Sequence, residues 1–244
     1  MPLSPTDLLK VLSPPEFGGL SDASRAAGLA MFIERLLKIN ETLNLTRITS
    51  DEDVISRHIL DSAVAYPLLE RLSKDRTPYR AVDLGTGAGF PGLVVATLFP
   101  AWEVTLLDAT AKKVKALSEC LLDLPFNCPT MHGRSEDLGR EPRFRETWDL
   151  VTARAVADLP VLIELALPLL KVGGHLVDWL TEEQVKTVDK SKNALHWLDG
   201  KIIEKQAYSL PRLIQPRYLL VVEKLGKTPL RYPRPAGQPA KHPL

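Results

Sequence analysis

The chain has 244 residues, of which 45% are hydrophobic, 25% charged and 6% aromatic. That composition excludes a disordered or fibrous bulk and leaves enough chain to bury a sizeable core. Lys plus Arg number 31 and Asp plus Glu 30, a formal net charge of +1. The balance is uneven. From Lys224 to Leu244 there are five basic residues and no acid, so the remaining chain carries −4. A basic end on a mildly acidic body points to a polyanion partner. The most apolar stretch, Leu162 to Leu170, is short and holds Glu164 and Pro168. A membrane span needs roughly 20 apolar residues, so no membrane role is expected. The opening MPLSPTDLLKVL has neither the basic flank nor the unbroken apolar run of a secretion signal. Cys120 and Cys128 alone make neither a disulfide framework nor a zinc site. A cytoplasmic protein without a metal is expected.

Four prolines (Pro2, Pro5, Pro14 and Pro15) punctuate the first 20 residues, which read as a short helix among turns. From Ser24 the pattern is helical, with Leu29, Ile33, Leu36 and Leu37 recurring at three- and four-residue steps. A second helix is predicted over 51–71, with Ser50 or Asp51 as its N-cap. After Thr77-Pro78 short apolar runs alternate with helical stretches. Strands are predicted at 81–84, 104–107, 130–132, 150–153 and 175–179. Helices are predicted at 91–99, 111–122, 159–171 and 182–197. Strand and helix in series imply a parallel sheet covered on both faces. The last two strands, 202–209 and 218–223, are separated only by a loop marked by Pro211 and Pro216, so they pair antiparallel. The expected class is α/β, Rossmann-like, ending in an antiparallel hairpin. It is preceded by a helical segment over 1–75. The α/β part spans 76–224, and a basic, Pro-rich tail spans 225–244.

The strongest local signal runs from Ala81 to Gly92: a buried strand, a glycine-rich turn and the start of a helix. Glycine permits positive φ and lets a ligand approach without a Cβ in the way. Pro91 suits the first helical position, where its missing N–H costs nothing. Two readings compete. Gly87, Gly89 and Gly92 fit the spacing of a dinucleotide fingerprint, with Asp108 closing the next strand. Alternatively the motif begins at Asp83, with Gly85, Gly87 and Gly89 following at every second position. An acid before the first glycine would repel a pyrophosphate but favour a cationic ligand, S-adenosylmethionine. The terminal hairpin also favours the second reading. A carboxylate at Asp108 accepts both ribose hydroxyls of either cofactor, and it also suits an N-cap. Ser135 and Glu136, in the loop after the third strand, are candidates to read an adenine.

The acceptor should sit at the carboxyl ends of the strands, where Thr152-Ala153-Arg154-Ala155-Val156 closes the fourth. Neither the Asn/Asp-Pro-Pro-aromatic motif of amino-group methylation nor a cysteine nucleophile stands there. Arg154 instead offers a fixed cation with five donors. His58 and Asp61, three apart on one helical face, read as a structural pair. His132, His175 and His196 read as ordinary element residues, with no metal-ligand spacing among them.

These residues together resemble the RsmG, or glucose-inhibited division protein B, family of bacterial small-subunit ribosomal RNA guanine-N7 methyltransferases. The resemblance is carried by Asn44-Leu45-Thr46 with Ile48, by Arg57 to Ser62, and by Gly85 to Gly92 with its Gly-Phe-Pro-Gly ending. Gly133-Arg134-Ser135-Glu136, Ala153-Arg154-Ala155 and the tail from Tyr232 to Leu244 extend it. The tail and the helical motif are its most specific parts. Ser135 stands where Ala is common and Ala153 where Ser is common; both are mild departures. The resemblance implies a class I S-adenosylmethionine-dependent methyltransferase acting on guanine 527 (bacterial numbering) of 16S ribosomal RNA. It implies cofactor contacts at Gly85, Phe90, Asp108, Ala109, Thr110, Ser135, Glu136 and Arg154.

Guanine N7 carries an in-plane lone pair and no proton, so methyl transfer to it needs no general base. Arg154 is therefore expected to organise the cofactor or a phosphate, not to take a proton. The tail cations Lys224, Lys227, Arg231, Arg234 and Lys241 are expected to contact 16S ribosomal RNA or the small subunit, with base stacking at Phe90 or Tyr232. A monomer is expected. The competing readings are a small-molecule methyltransferase, an NAD-binding oxidoreductase or redox sensor, and an inactive RNA-binding scaffold.

Overall fold

The computed structural model describes residues 3–74 and 79–244. Pro2, the Thr77-Pro78 break and the expected boundary at 75/76 lie outside the described residues. Seven strands occur among those described: β1 (Arg80–Leu84), β2 (Glu103–Asp108), β3 (Thr130–His132), β4 (Trp148–Arg154), β5 (Leu170–Thr181), β6 (Gly200–Tyr208) and β7 (Arg217–Lys224). Each predicted strand is present, and most are longer than their apolar runs. The chain forms two compact units. One holds the described residues of 1–79 with 86–132 and 210–213; the other holds 80–85, 133–209 and 214–244. These units cut across the three segments expected from the sequence.

In the first unit, helix Ala23–Leu43 starts where predicted. Asp22 caps it by accepting from the Ser24 and Arg25 amides, and Asn44 ends it in the left-handed region at φ 49. Its apolar stripe buries Leu29, Phe32, Ile33 and Leu36. The single helix predicted over 51–71 is instead a series. Asp51–Asp53, capped by Ser50, leads into a π-helical turn over Val54–Leu60, then Asp61–Ala63 and finally Tyr66–Ser73. Pro67 falls in the opening turn of the last piece, where a missing N–H is tolerated. Ser56 and His58 are both buried in the π turn. Parallel strands β2 and β3 are joined through helix Ala111–Leu121, a right length for a crossover unit.

In the second unit the strand order is β1-β4-β5-β7-β6. β1, β4 and β5 run parallel, with Asp83 opposite Thr152 and Ala153 opposite Asp178. β7 enters antiparallel between β5 and β6. The near-continuous burial of β1 and β4 is the pattern of strands covered on both faces. Helix Leu159–Ala166 stops before the predicted end at 171. Pro168 cannot donate to a continuing helix, and a 3-10 turn over Leu167–Leu169 leads straight into β5. The helix predicted over 182–197 is broken into Glu182–Val185, Val188–Ser191 and Lys192–Trp197.

One core residue of β5 is at odds with its surroundings. Asp178 is 3% exposed, and its Oδ2 has no hydrogen-bond partner. Burial pushes its carboxyl up to about 8, opposed only by a bond from the Trp179 amide. The folded chain therefore holds a proton here that the unfolded chain has released above its ordinary value of 3.8. Stability falls as pH rises from about 4 to about 8, by at most ~1.4 kcal/mol per pH unit for one proton. Urea unfolding across this range should show Asp178→Asn gaining on the parent as pH rises and holding a constant lead above pH 8. A gap independent of pH would mean that Asp178 is ionised in the folded chain.

Candidate functional site

In the first unit the glycine turn is laid against the end of β2. The Thr86 amide donates to the Leu107 carbonyl at 3.0 Å. The Gly87 amide donates to Asp108 Oδ2 at 3.1 Å, and the Thr110 amide to Asp108 Oδ1 at 2.8 Å. Asp108 is 6% exposed. Its carboxylate thus secures both the turn and the residue that caps helix Ala111–Leu121, which is Thr110 and not Asp108 itself. Two acceptor oxygens offer about four lone-pair sites, so each oxygen keeps capacity for another donor. Gly87 and Gly89 have φ of 58° and 95°. A Cβ at Gly89 would stand 3.1 Å from the Phe32 ring, so the turn lies tight on helix Ala23–Leu43.

Phe90 follows at once. Its ring stacks on His58 at 4.4 Å and 9°, and meets the edge of Phe32 at 6.1 Å. His58 Nε2 is 3.1 Å from the Thr46 hydroxyl. Thr46 is itself locked to Asn40: its amide donates to Asn40 Oδ1, and Asn40 Nδ2 donates to its carbonyl. Two sequence motifs far apart in the chain therefore converge on one aromatic side chain. This linkage was not visible from spacing. Phe90 is 5% exposed, which overturns the expectation that it stacks on RNA. Tyr232, at 6%, is overturned for the same reason.

In the second unit Asp83 is fully buried, and its Oδ1 accepts the Thr152 hydroxyl at 2.7 Å, tying β1 to β4. Gly85 has φ of 66°, and a Cβ there would meet Val156 at 2.9 Å. In the first unit Pro91 sits one residue before the helix Gly92–Leu98, as its cap. Arg154 ends β4 half-buried, and Ala155 next to it adopts a left-handed φ of 57° that non-glycine residues rarely hold. Ser135 Oγ donates to the Leu165 carbonyl, and Glu136 Oε1 accepts the Gly237 amide. Both side chains are thus already engaged within the unit.

The tail is part of this unit's body. Lys224 is fully buried and donates to Glu146 Oε1 at 2.7 Å and to the Leu167 and Leu170 carbonyls at 2.9 and 2.8 Å. Burial lowers its pKa, and the Glu146 carboxylate opposes that shift. The expected RNA contact at Lys224 is therefore corrected: an ammonium enclosed by three acceptors has no path to a phosphate. Arg234 is partly exposed but already engaged within the unit. Its guanidinium grips the wholly buried Glu164 with Nε and Nη2, a bidentate pair that raises its pKa. Arg145 and Arg140, which no motif marked, donate to the Tyr232, Thr228 and Pro233 carbonyls. Lys227, Arg231 and Lys241 are exposed, with Arg231 resting over Trp197 at 4.9 Å. Among the described residues no cluster of His, Cys, Asp and Glu could hold a metal ion, and no helix is long and apolar enough to cross a membrane.

Residues 25–207 match the sequence family described as rRNA small subunit methyltransferase G, or GidB. The chain is 40% identical over 216 residues to the ribosomal RNA small subunit methyltransferase G of Desulfitobacterium hafniense (strain Y51), covering 88% of this chain and 87% of that one. It is 37% identical over 243 residues to the like-named protein of Streptococcus pyogenes serotype M49 (strain NZ131), covering 99% and 100%. Among solved structures, the citrinin polyketide synthase CMeT domain is similar with a TM-score of 0.52 at 16% identity, over 81% of this chain and 66% of that one. At that identity the likeness concerns the fold alone.

Replacing Lys224 by Met should cost about 3–5 kcal/mol of stability in denaturant unfolding, because Glu146 and two carbonyls lose their buried donor. A variant within 1 kcal/mol of the parent would show that the ammonium is dispensable to the fold.

Proposed function

The chain belongs to the ribosomal RNA small subunit methyltransferase G family, and on that premise we propose that it methylates N7 of guanine 527 (bacterial numbering) in 16S ribosomal RNA. As a member it is a ribosomal RNA methyltransferase of the class I fold, and S-adenosylmethionine is its cofactor. When bound, S-adenosylmethionine supplies an electrophilic methyl group on a positively charged sulfur. The residues present fit it. The glycine turn at Gly87 and Gly89 carries no Cβ, and the Asp108 carboxylate is preset by two backbone amides with acceptor capacity to spare.

That carboxylate is the observation on which the reading chiefly rests. Paired backbone donors hold its plane fixed, and its remaining lone pairs suit a vicinal diol. We assign cofactor contacts to Gly87, Gly89, Phe90, Asp108, Ala109 and Thr110 in the first unit. From the family resemblance we carry over Asp83, Gly85, Ser135, Glu136 and Arg154, taken within the second unit alone, as cofactor-binding candidates. Asp83, enclosed and bound to Thr152, acts on a cationic ligand through its field and not by contact. Ser135 and Glu136 have their hydroxyl and Oε1 committed elsewhere, so their contribution falls to the backbone and to Glu136 Oε2.

The acceptor nitrogen has its lone pair in the ring plane and no proton to lose. The chain therefore has no proton to remove and only has to align three atoms. Such alignment supplies up to about 7–11 kcal/mol in favourable cases. Arg154, a planar guanidinium with five donors, serves as a fixed anchor for a carboxylate or a phosphate. Lys227, Arg231 and Lys241 remain as exposed cations for the RNA backbone.

The test is transfer of labelled methyl from S-adenosylmethionine to small-subunit RNA and particles, with the modified nucleotide mapped. Label at guanine N7 is expected, and label on another atom or nucleotide would overturn the assignment. In calorimetry Asp108→Ala should weaken S-adenosylhomocysteine binding at least about tenfold, the loss of one or two hydrogen bonds to a charged group. Unchanged binding in a folded variant would remove Asp108 from the site.

A further inference from the structure

The first unit contains a recess that the cofactor reading leaves unused. It has a volume of about 220 Å³ and is lined by Glu52, Ile55, Ser56, Leu60, Pro211 and Arg212. Typical small-molecule pockets run to about 300–1,000 Å³, so this one suits a fragment smaller than a whole nucleoside cofactor. Ile55, Leu60 and Pro211 supply apolar walls. Ser56 is 3% exposed, and its Oγ, inaccessible to solvent, has no hydrogen-bond partner. A buried hydroxyl left unpaired costs free energy, so it is expected to meet a polar group when the recess is filled. At the rim the Arg212 guanidinium is paired with the Glu52 carboxylate, and both side chains are exposed.

The setting adds to this. Ser56 belongs to the π-helical turn Val54–Leu60, and such turns recur at functional sites. Arg212 is held at a left-handed φ of 70°, uncommon for a residue with a Cβ. Pro211 and Arg212 lie in the connection between β6 and β7.

We propose that this recess is a subsite for one unstacked nucleobase of the RNA substrate. The inference rests on the ribosomal RNA reading above. The apolar side chains of Ile55, Leu60 and Pro211 take the faces of a base, in the way that proteins cover splayed single-stranded nucleotides. The Ser56 hydroxyl, closed to solvent in the wall of the recess, turns about χ1 to meet its edge as donor and acceptor. Glu52 accepts from an exocyclic amino group, which favours a base that carries one. Arg212, released from Glu52, takes the adjoining phosphate or lies on the ring. The base held here is either the methylated guanine or a neighbour of it.

The experiment measures binding of a fluorescent small-subunit RNA fragment to the full chain, to Ser56→Ala and to Arg212→Ala. Thermal stability and S-adenosylhomocysteine affinity are read in parallel. Ser56→Ala should weaken RNA binding about threefold to tenfold and Arg212→Ala by about tenfold. Cofactor affinity should stay within error, and Ser56→Ala should melt no lower than the parent, since it deletes an unpaired hydroxyl. A structural serine would move stability and leave RNA affinity alone. RNAs made abasic at one position at a time then identify the base. At the docked position the abasic penalty and the Ser56→Ala penalty should not add. Non-additivity at the methylated guanine, or at a flanking nucleotide, supports the subsite and names its occupant. Parent-like RNA binding by both variants, or full additivity at every position, overturns it. If the parent transfers no methyl to small-subunit RNA, the proposed function fails and the subsite falls with it, a result the transfer assay reports separately.

Discussion

The Asp108 carboxylate, held between the Gly87 and Thr110 amides, is the constraint around which the first unit is arranged. A carboxylate removed from water must be met by donors, and here the donors are backbone groups of two different segments. One segment is the glycine turn and the other opens helix Ala111–Leu121. Satisfying one buried charge therefore positions both. The turn in turn places Phe90 between His58 and Phe32, and His58 is placed by Thr46, which Asn40 holds from the end of helix Ala23–Leu43. The helical segment is thus no mere appendage. It carries the polar chain that orients the residue following the glycines.

The second unit uses buried charge in another way. Its C-terminal stretch has few apolar side chains with which to pack, and it is rich in proline, which cannot donate along a ladder. It is held instead by guanidinium and ammonium groups directed at carbonyls. Arg145 and Arg140 reach those of Thr228, Tyr232 and Pro233, while Lys224 reaches those of Leu167 and Leu170. Glu146 and Glu164 neutralise two of the cations inside. A fork of fixed donors can satisfy several irregular carbonyls at once, and this suits a segment with no regular partner strand. Asp178 is the contrast. Its burial is opposed by a single backbone donor, and that burial pushes its carboxyl up instead of leaving it paired with a cation.

These arrangements bear directly on the chemistry. If the acceptor is the proposed ring nitrogen, which has no proton to lose, the chemistry asks for alignment and charge placement, which loops clamped by buried ion pairs can provide. The exposed cations that remain, Lys227, Arg231 and Lys241, attract a polyanion without specifying it.

Much of this was legible in the residues themselves. The strand, glycines and helix around Asp83 to Gly92, the acid at Asp108, the alternation of elements and the terminal hairpin follow from local rules of period, backbone freedom and donor supply. Those rules act within a few residues, so they can be read along the chain. Which cations face solvent could not be read that way. Lys224 and Lys227 look alike in sequence, yet one is enclosed and the other exposed. That choice depends on Glu146 and on the carbonyls of Leu167 and Leu170, all more than 50 residues distant. The π turn at Val54–Leu60, the burial of Phe90 and the unpaired hydroxyl of Ser56 were decided at the same level. Each reflects a competition between local preference and long-range packing, and only the folded chain settles which of the two wins.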